Sequence, residues 1–414
     1  FMFSDSHILK NHILTVYNQS IYFMSKSIII KILQILCQFL LFIIVSCSQP
    51  ESAKKKSVEI INLKEAYENR ESITINDISI NIEYIKLETK DECLTATRLT
   101  VYSNDQYLIT IDREKILLFD RKDGKFIREI GHKGNGPGEY SRTYNVNPFN
   151  EGKNIIYAGR NKKRYGYSLN GQMKDTLSIP DLVSEIGNIN DSIFAAFLPD
   201  YQGGEKNKIV IFNDKDSIIK TFPNYLSAPK TDSFFAWNPN SWFYTVDKQL
   251  VFYQLFNDTL FNVSTISLTP RYVFNMGPYS PPYEMKTSPK FETDRYFIMR
   301  TIMESSKYLF CSFNYNKKNY TAIFDKNKRT TVVNDYSPES GQGFITNIND
   351  FVPLEFSSIN EKEELICIMD AFKIKQWFDL NPGKIDQLPK YLKALKNIQE
   401  TNNPVIIIAK LKNK

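Results

Sequence analysis

The sequence predicts an all-β protein, a six-bladed β-propeller with a short C-terminal helix before its closing strand. Two observations carry this prediction. Six short apolar runs recur at intervals of roughly 40 to 60 residues, a spacing typical of repeat architectures, and polar turns followed by further strands come after most of them. The six runs lie at residues 106–112, 153–160, 192–198, 249–256, 307–315 and 363–370. A propeller hosts many unrelated activities, so the architecture alone leaves the function open.

The remaining strands of each repeat follow from turn chemistry and composition. In most repeats a second strand ends in a polar turn and a third strand restarts, as in LFDRKDGKFIREI from Leu118 and AIFDKNKRTTVV from Ala322. The chain has 29 Phe and 24 Tyr against 16 Gly, a balance that suits pleated, half-buried surfaces. The net charge of +6 is spread along the whole chain. A nucleic-acid partner is therefore not expected.

The two ends of the predicted propeller complement each other. Residues 80–87 alternate apolar and polar side chains, and residues 403–411 (NPVIIIAKL) are equally strand-like. We expect these two strands to join in one blade, because closing the ring in this way removes exposed sheet edges. A stretch of helical period precedes the second strand, with four apolar side chains on one face: Leu388, Leu392, Leu395 and Ile398.

The N-terminal region resembles a secretory signal. Residues 24–46 carry Lys26 and Lys31 around an apolar run that stops at Cys47. The sequence IVSC resembles a bacterial lipobox, in which cleavage precedes an acylated cysteine, so Cys47 is the predicted lipidation site. The alternative is an uncleaved transmembrane helix at residues 27–46, which is about long enough to span a bilayer.

This signal divides the chain into four predicted segments. Residues 1–23 precede a credible start at Met24 and are interpreted as an upstream misreading. Residues 24–46 form the signal peptide, 47–59 a polar tether, and 60–414 the propeller. Ser48 follows the cysteine where a retention signal more often has Asp, which by resemblance favours the outer membrane. The predicted partner is therefore a membrane, reached through the lipid anchor.

Cysteine and histidine usage limits the chemistry. Cys93, Cys311 and Cys367 are odd in number and far apart, so neither a disulfide framework nor a zinc site is predicted. The last two lie in strand cores, where a thiol behaves as a small hydrophobe. Only His132 lies in the predicted domain, and no GxSxG or HExxH motif occurs. We expect no metal, no cofactor and no catalytic residues.

A family resemblance rests on several motifs. The segment IGHKGNGPGEY at 130–140 resembles the GxGxGPGEY hallmark of the six-bladed β-propeller lipoproteins of Bacteroidetes, and more loosely the turn of NHL repeats. The segments YIKLET at 84–89, NDTLF at 257–261 and PRYVFNMG at 270–277 match other marks of that family. The resemblance covers residues 80–412 and implies the fold and a cell-envelope location more firmly than an activity. One departure is TNINDFVPLEF at 346–356, which lacks the family's paired glycines.

The glycine-rich loop supplies three binding candidates. It lacks the Lys-Ser/Thr of a phosphate-binding P-loop and does not open a helix, so we interpret it as a turn between blades. His132, Lys133 and Glu139 are the polar side chains of this loop that we expect to face the axial surface.

Aromatic residues supply the other candidates. Trp237, Trp242 and Tyr244 lie in FFAWNPNSWFYTVD at 234–247. They can form a stacking platform for a sugar ring or an anchor for a protein, or they can fill the space between blades. The proline-rich segment at 277–285 is expected to be an exposed loop.

Three functions remain open at this point. The leading hypothesis is an outer-membrane lipoprotein whose propeller binds a protein or glycan. The alternative is a lyase or hydrolase that uses carboxylates and His132 at the axial channel, with a divalent ion held by oxygens in one version. The third is a purely structural partner in an envelope complex. The enzyme class is left uncertain and less favoured.

Overall fold

Six small β-sheets form a ring, as the repeats predict. The computed structural model describes residues 58–96, 99–141, 143, 155–159, 162–180, 183, 185–226, 228–230, 241–335, 343–344, 348 and 351–412. The signal peptide, Cys47 and Trp237 lie outside these residues. The first strands of blades 3, 4 and 5 lie side by side, as expected of strands that surround the axis of a propeller.

The elements follow in chain order. The N-terminal segment contains β1 (Glu59–Ile61), α1 (Leu63–Glu68), α2 (Ile75–Ile78) and β2 (Ser79–Lys86). Blade 1 contains β3 (Thr100–Ser103), β4 (Tyr107–Ile111), β5 (Ile116–Asp120) and β6 (Phe126–Glu129). In blade 2 the described strands are β7 (Ile155–Ala158), β8 (Lys163–Ser168) and β9 (Met173–Ser178). Blade 3 contains β10 (Glu185–Asn188), β11 (Ile193–Phe197), β12 (Asn207–Asn213) and β13 (Ile218–Pro223).

The second half of the ring repeats this plan. Blade 4 contains β14 (Ser241–Val246), β15 (Gln249–Gln254), β16 (Thr259–Val263) and β17 (Leu268–Phe274). Blade 5 contains β18 (Ile298–Glu304), β19 (Tyr308–Tyr315), β20 (Lys318–Asp325) and β21 (Thr330–Val333). Blade 6 contains β22 (Gly343–Phe344), β23 (Leu354–Ile359), β24 (Glu364–Met369) and, after α3 (Ala371–Leu380) and α4 (Lys390–Lys393), β25 (Val405–Leu411). Short 3₁₀ turns cover Asp91–Cys93, Gly277–Tyr279, Tyr283–Thr287, Thr293–Arg295 and Pro382–Gln387.

The core lies between the blades. Each pair of neighbouring blades encloses its own cluster of buried apolar side chains among the described residues. Strand β19 shows the cause, because successive side chains of a strand point to opposite faces. Leu309 and Cys311 face the cluster shared with blade 4, whereas Tyr308 and Phe310 face the cluster shared with blade 6. Strands buried on both faces therefore have continuous apolar sequences.

The predicted closure of the ring is confirmed. Strand β25 pairs antiparallel with β24 on one side and with the N-terminal strand β2 on the other. The helical segment before β25 buries its predicted apolar face, since Leu388, Leu392, Leu395 and Ile398 all lie in the cluster between blades 5 and 6. Among the described residues, no helix has the length and apolar character needed to cross a membrane.

Two further contacts hold blades 1 and 6 together. Arg121 makes a bidentate ion pair with Glu364, with Nη1–Oε2 and Nη2–Oε1 distances of 2.7 and 2.9 Å. Asn403 Nδ2 donates to the carbonyl oxygens of Glu88 and Cys93, while Asn403 Oδ1 accepts from the Thr95 N–H at 2.9 Å. The amide side chain thus ties the loop before blade 1 to the segment that leads into β25.

Candidate functional site

His132 and Lys133 lie on the surface of the loop after blade 1. The His132 side chain is 74% exposed, and its Nδ1 lies 3.6 Å from Glu129 Oε2. Lys133 forms an ion pair with Glu114, and both side chains are largely exposed. Exposed pairs of this kind contribute little to stability, because water competes for them. Both side chains therefore remain accessible to a partner.

Glu139 has a structural contact instead. Its Oε2 accepts a hydrogen bond of 2.8 Å from the Gly136 N–H. A Cβ atom at Gly134 would lie 1.9 Å from the same oxygen, so the carboxylate fills the concave side of the glycine loop. Gly138 adopts a φ of +78°, a conformation that favours glycine. In this arrangement the loop's own carboxylate occupies the position that a bound anion would need.

Trp242 and Tyr244 lie on β14 and pack between blades 4 and 5. The Trp242 ring stacks on Tyr253, with 5.4 Å between ring centroids. The Tyr244 hydroxyl donates to Glu304 Oε1 at 2.7 Å. Burial, followed by the charge of Glu304, raises the pKa of Tyr244 well above its usual range. The structure brings these two aromatic residues together in the cluster between blades 4 and 5, on a different blade from the loop of His132, Lys133 and Glu139.

Glu304 is the centre of a buried charge network in the same region. Its carboxylate accepts hydrogen bonds from Arg271 Nη2 at 2.8 Å and from Tyr244, and Lys326 Nζ lies 2.6 Å from Oε2. The side chain of Glu304 is fully buried. Burial opposes ionisation, but the hydrogen bonds and charges of Arg271 and Lys326 outweigh it and lower the pKa of Glu304. The network joins blades 4 and 5.

A second buried polar group lies between blades 3 and 4, where no sequence motif marks it. We call it the lysine cluster, and its members are Asp200, Lys208, Gln254, Tyr283 and Lys286. Asp200 belongs to the loop between β11 and β12, Lys208 to β12, Gln254 to the end of β15, and the last two to the 3₁₀ turn before blade 5. Because successive strands of a blade run antiparallel, these positions lie at one end of the propeller. We call it the connection end.

Lys286 is the innermost charge of the cluster. Its side chain is 0% exposed, and its Nζ lies 3.5 Å from Asp200 Oδ2. The same ammonium group donates to the Tyr283 hydroxyl at 3.3 Å, and that hydroxyl donates to Asp200 Oδ2 at 3.4 Å. Burial lowers the pKa of Lys286, while Asp200 opposes this shift. Asp200 therefore serves as the counterion of Lys286.

Lys208 lacks such a counterion. The residue is 5% exposed, and no carboxylate in the described part of the chain lies within 4.0 Å of its Nζ. Its contact is the Phe261 ring, whose centroid lies 5.8 Å from Nζ. Burial, together with the positive charge of Lys286, lowers the pKa of Lys208 to about 8. The ammonium group is thus mostly protonated at neutral pH and has no ion-pair partner among the described residues.

Polar atoms on the blade 4 side of the cluster also lack partners. The Gln254 side chain lies near the Tyr283 hydroxyl, and its buried Oε1 accepts no hydrogen bond. The opposite residue on the neighbouring strand is Ser241, whose buried Oγ has no hydrogen-bond partner either. Buried polar groups in folded proteins are normally paired, so this site retains unused hydrogen-bonding capacity.

The proline-rich loop at 277–285 departs from its predicted exposure. Its 3₁₀ turns direct Tyr283 inward, where the residue is 7% exposed. The loop forms no strand, as its prolines predict. It nevertheless carries Tyr283 and Lys286 into the protein interior. Exposure predicted from proline content is therefore wrong for Tyr283.

The charged groups of the two interfaces differ in what they can do. Both groups hold two cations against one carboxylate, but Arg271 and Lys326 both contact Glu304, whereas in the lysine cluster only Lys286 contacts Asp200. Across the described residues, no group of three or more His, Cys, Asp or Glu side chains is placed to hold a metal ion. The lysine cluster is therefore the site whose arrangement is best suited to bind a ligand.

Comparisons with known proteins find solved structures that are similar to this chain and one family that it matches. A solved structure of a Bacteroides fragilis NCTC 9343 protein, whose name calls it exported, is similar over 86% of this chain and 100% of that chain, with 19% identity and a TM-score of 0.67. A protein of unknown function from Bacteroides caccae is similar over 64% of this chain and 82% of that chain, with 10% identity and a TM-score of 0.35. No curated protein matches the chain. The domain of unknown function DUF4934 matches residues 58–410, and the chain belongs to this family.

Proposed function

We propose that the protein is an outer-membrane lipoprotein whose propeller binds a ligand at the connection end of blades 3 and 4, with a glycan as the leading candidate and a protein as the other. The observation that carries the proposal is the unused binding capacity of the lysine cluster. Lys208 Nζ has no ion-pair partner in the described chain, and Gln254 Oε1 has no hydrogen-bond partner. A cluster with a purely structural role is expected to satisfy its own buried groups.

The envelope location is supported by the sequence of the N-terminal region. Residues 24–46 resemble a signal peptide, and Cys47 stands where a lipobox has its acylated cysteine. The name of the Bacteroides fragilis protein with the same fold, which calls that protein exported, also supports this location.

We expect Cys47 to be acylated and to be the first residue of the mature chain. Mass spectrometry of the N-terminal peptide from native membranes should detect a diacylated or triacylated cysteine. Cys47→Ala should release the protein from the membrane with its thermal unfolding unchanged, because the anchor lies outside the propeller. An unmodified Cys47, or a mature chain that retains residues 27–46, would contradict this expectation.

An alternative function, a lyase or hydrolase acting at the axial channel, has one observation in its favour. Glu185 begins β10, the first strand of blade 3, and retains accessible surface. Burial nevertheless raises the pKa of Glu185 to about 8, while the charge of Arg164 opposes the shift. A carboxyl group protonated at neutral pH can act as a general acid. Release of new sugar ends by the parent protein, and its loss in Glu185→Gln, would favour the enzyme over the binding protein.

The binding proposal is tested with an array of acidic and neutral oligosaccharides. The full-length chain, purified in detergent, should retain a subset of them, and Lys208→Met should abolish that retention. Lys206→Met is the matched control. Lys206 is exposed and lies two residues away on the same segment, and its substitution removes the same charge. Trp237→Ala and Trp242→Ala test whether the aromatic candidates contribute. Retention that is equal in the parent and Lys208→Met, or no retention at all, would contradict a glycan site here.

A further inference from the structure

We propose that the lysine cluster binds an oxyanion, a carboxylate, sulfate or phosphate group that lies between the ammonium groups of Lys208 and Lys286. The inference rests on the proposed function, that the connection end of blades 3 and 4 is a binding site, and adds the chemical class of the ligand. The two sources of such a group are an acidic sugar and a free inorganic ion.

The cluster holds more positive than negative charge. Asp200 is the one carboxylate paired with either lysine in the described chain, and its oxygens are already engaged. Oδ2 contacts Lys286 Nζ at 3.5 Å and the Tyr283 hydroxyl at 3.4 Å, and Oδ1 accepts from the Glu205 N–H at 2.9 Å. Two ammonium groups against one carboxylate leave one positive charge uncompensated.

The uncompensated positive charge is also buried. Lys208 is 5% exposed and Asp200 is 4% exposed, so both charged groups are almost fully removed from water. An isolated ammonium group is strongly disfavoured in such a place unless it is paired. The Phe261 ring at 5.8 Å supplies a weak cation–π contact. The depressed pKa of Lys208, caused by burial and by Lys286, reports the same unfavourable electrostatics. An oxyanion near both lysines would relieve them together.

The cluster also has hydrogen-bonding groups that an oxyanion alone would not use. Gln254 Oε1 is an acceptor without a donor, and Ser241 Oγ is buried opposite it. The Gln254 side chain lies near the Tyr283 hydroxyl, which accepts a hydrogen bond from Lys286. A ligand with a hydroxyl group next to its anionic group could donate to Gln254 Oε1 while its oxyanion contacts the lysines. This chemistry favours a sugar acid over a free inorganic ion.

The test measures oxyanion binding by the full-length protein in detergent. Sodium glucuronate, phosphate and sulfate are each added during thermal unfolding and calorimetric titration, with glucose as the neutral probe and ionic strength held constant. We expect glucuronate to raise the melting temperature of the parent and of Lys206→Met by several degrees. Lys208→Met, measured against its own ligand-free state, should show a dissociation constant at least tenfold weaker.

The results distinguish an acidic sugar from a free inorganic ion as the ligand. They also distinguish failure of the proposed glycan-binding function from failure of the oxyanion site. Binding of glucuronate in preference to phosphate and sulfate supports a sugar acid, and equal binding of all three supports a free oxyanion. An equal response of the parent and Lys208→Met, or no response to any anion, would overturn the inference. If oxyanions bind through Lys208 but the array retains no oligosaccharide, the proposed glycan function fails and this inference stands. If oligosaccharides bind regardless of Lys208, the inference fails.

Discussion

Replacing Glu304 with alanine should lower the free energy of unfolding by about 3 to 5 kcal/mol, the range for breaking a buried ion pair by removing one partner. The substitution leaves Arg271 and Lys326 without their shared carboxylate and removes the acceptor of the Tyr244 hydroxyl. Because these groups lie between blades 4 and 5, water cannot fully replace the lost contacts. Denaturant unfolding of the purified variant measures the effect.

A matched control shows whether the loss of stability is specific to the buried carboxylate of Glu304. Asp379→Ala removes an ion pair with Lys375 on the surface of α3. Exposed pairs four residues apart on a helix contribute about 0.3 to 0.5 kcal/mol, so this variant should unfold like the parent. A loss below about 1 kcal/mol for Glu304→Ala would show that the network contributes little.

The Glu304 contribution should also depend on pH in a defined direction. The folded state lowers the pKa of Glu304, because Arg271 and Lys326 outweigh the opposing effect of burial. A carboxyl group with a lowered folded pKa stabilises the protein fully above its unfolded pKa. That stability is lost as the pH falls through the folded pKa. The difference in stability between the parent and Glu304→Ala should therefore shrink below the usual range of a glutamate.

Deleting residues 403–414 should abolish cooperative unfolding. The deletion removes β25, the strand that lies between β24 and β2, and with it the Asn403 contacts to the loop before blade 1. Both neighbouring strands then present unpaired edges, which promote aggregation. Size-exclusion chromatography and calorimetry measure the outcome.

The control for this deletion is Lys410→Ala, an exposed position of the same strand. This variant should be monomeric and unfold in one transition, since its backbone hydrogen bonds remain. If the truncated chain instead melts in a single sharp transition near the temperature of the parent, β25 is not required for closure of the ring.

The sequence predicts most of the propeller, because repeated strands leave a strong periodic pattern. Strands such as β19 are apolar over most of their length, since both faces are covered by neighbouring blades, and this continuity makes them recognisable. The pairing of β2 with β25 was predictable for another reason, because an open ring would leave exposed sheet edges. Residues far apart in the chain thus become neighbours by a topological requirement.

The contacts of the N-terminal segment could not be predicted from the strand period. Strand β1 has three residues and pairs in parallel with β17 of blade 4, and Glu71 bridges Asn334 beside blade 5. Tyr67 of α1 packs edge-on against Phe297 and Tyr320. The segment therefore contacts blades 4 and 5 before β2 joins blade 6. Elements this short have no period to recognise, and their pairing depends on tertiary contacts.

The lysine cluster was not predictable for a related reason. Its members come from two blades and a connecting loop, between Asp200 and Lys286, and none belongs to a motif. Lys208 is the second residue of an apolar strand, near a strand end where a lysine is ordinarily solvated, and Lys286 follows prolines that indicate an exposed loop. Burial of both depends on how the blades meet. The aromatic candidates were visible by composition, but the sequence could not distinguish packing of Trp242 from ligand binding.

The binding site at the connection end is tested most directly by a calorimetric titration of one acidic oligosaccharide retained on the array into the full-length parent, Lys208→Met and Lys206→Met. We expect saturable binding with one site per chain in the parent and in Lys206→Met, and at least tenfold weaker binding in Lys208→Met. Equal affinity in all three proteins would show that the connection end of blades 3 and 4 is not the binding site.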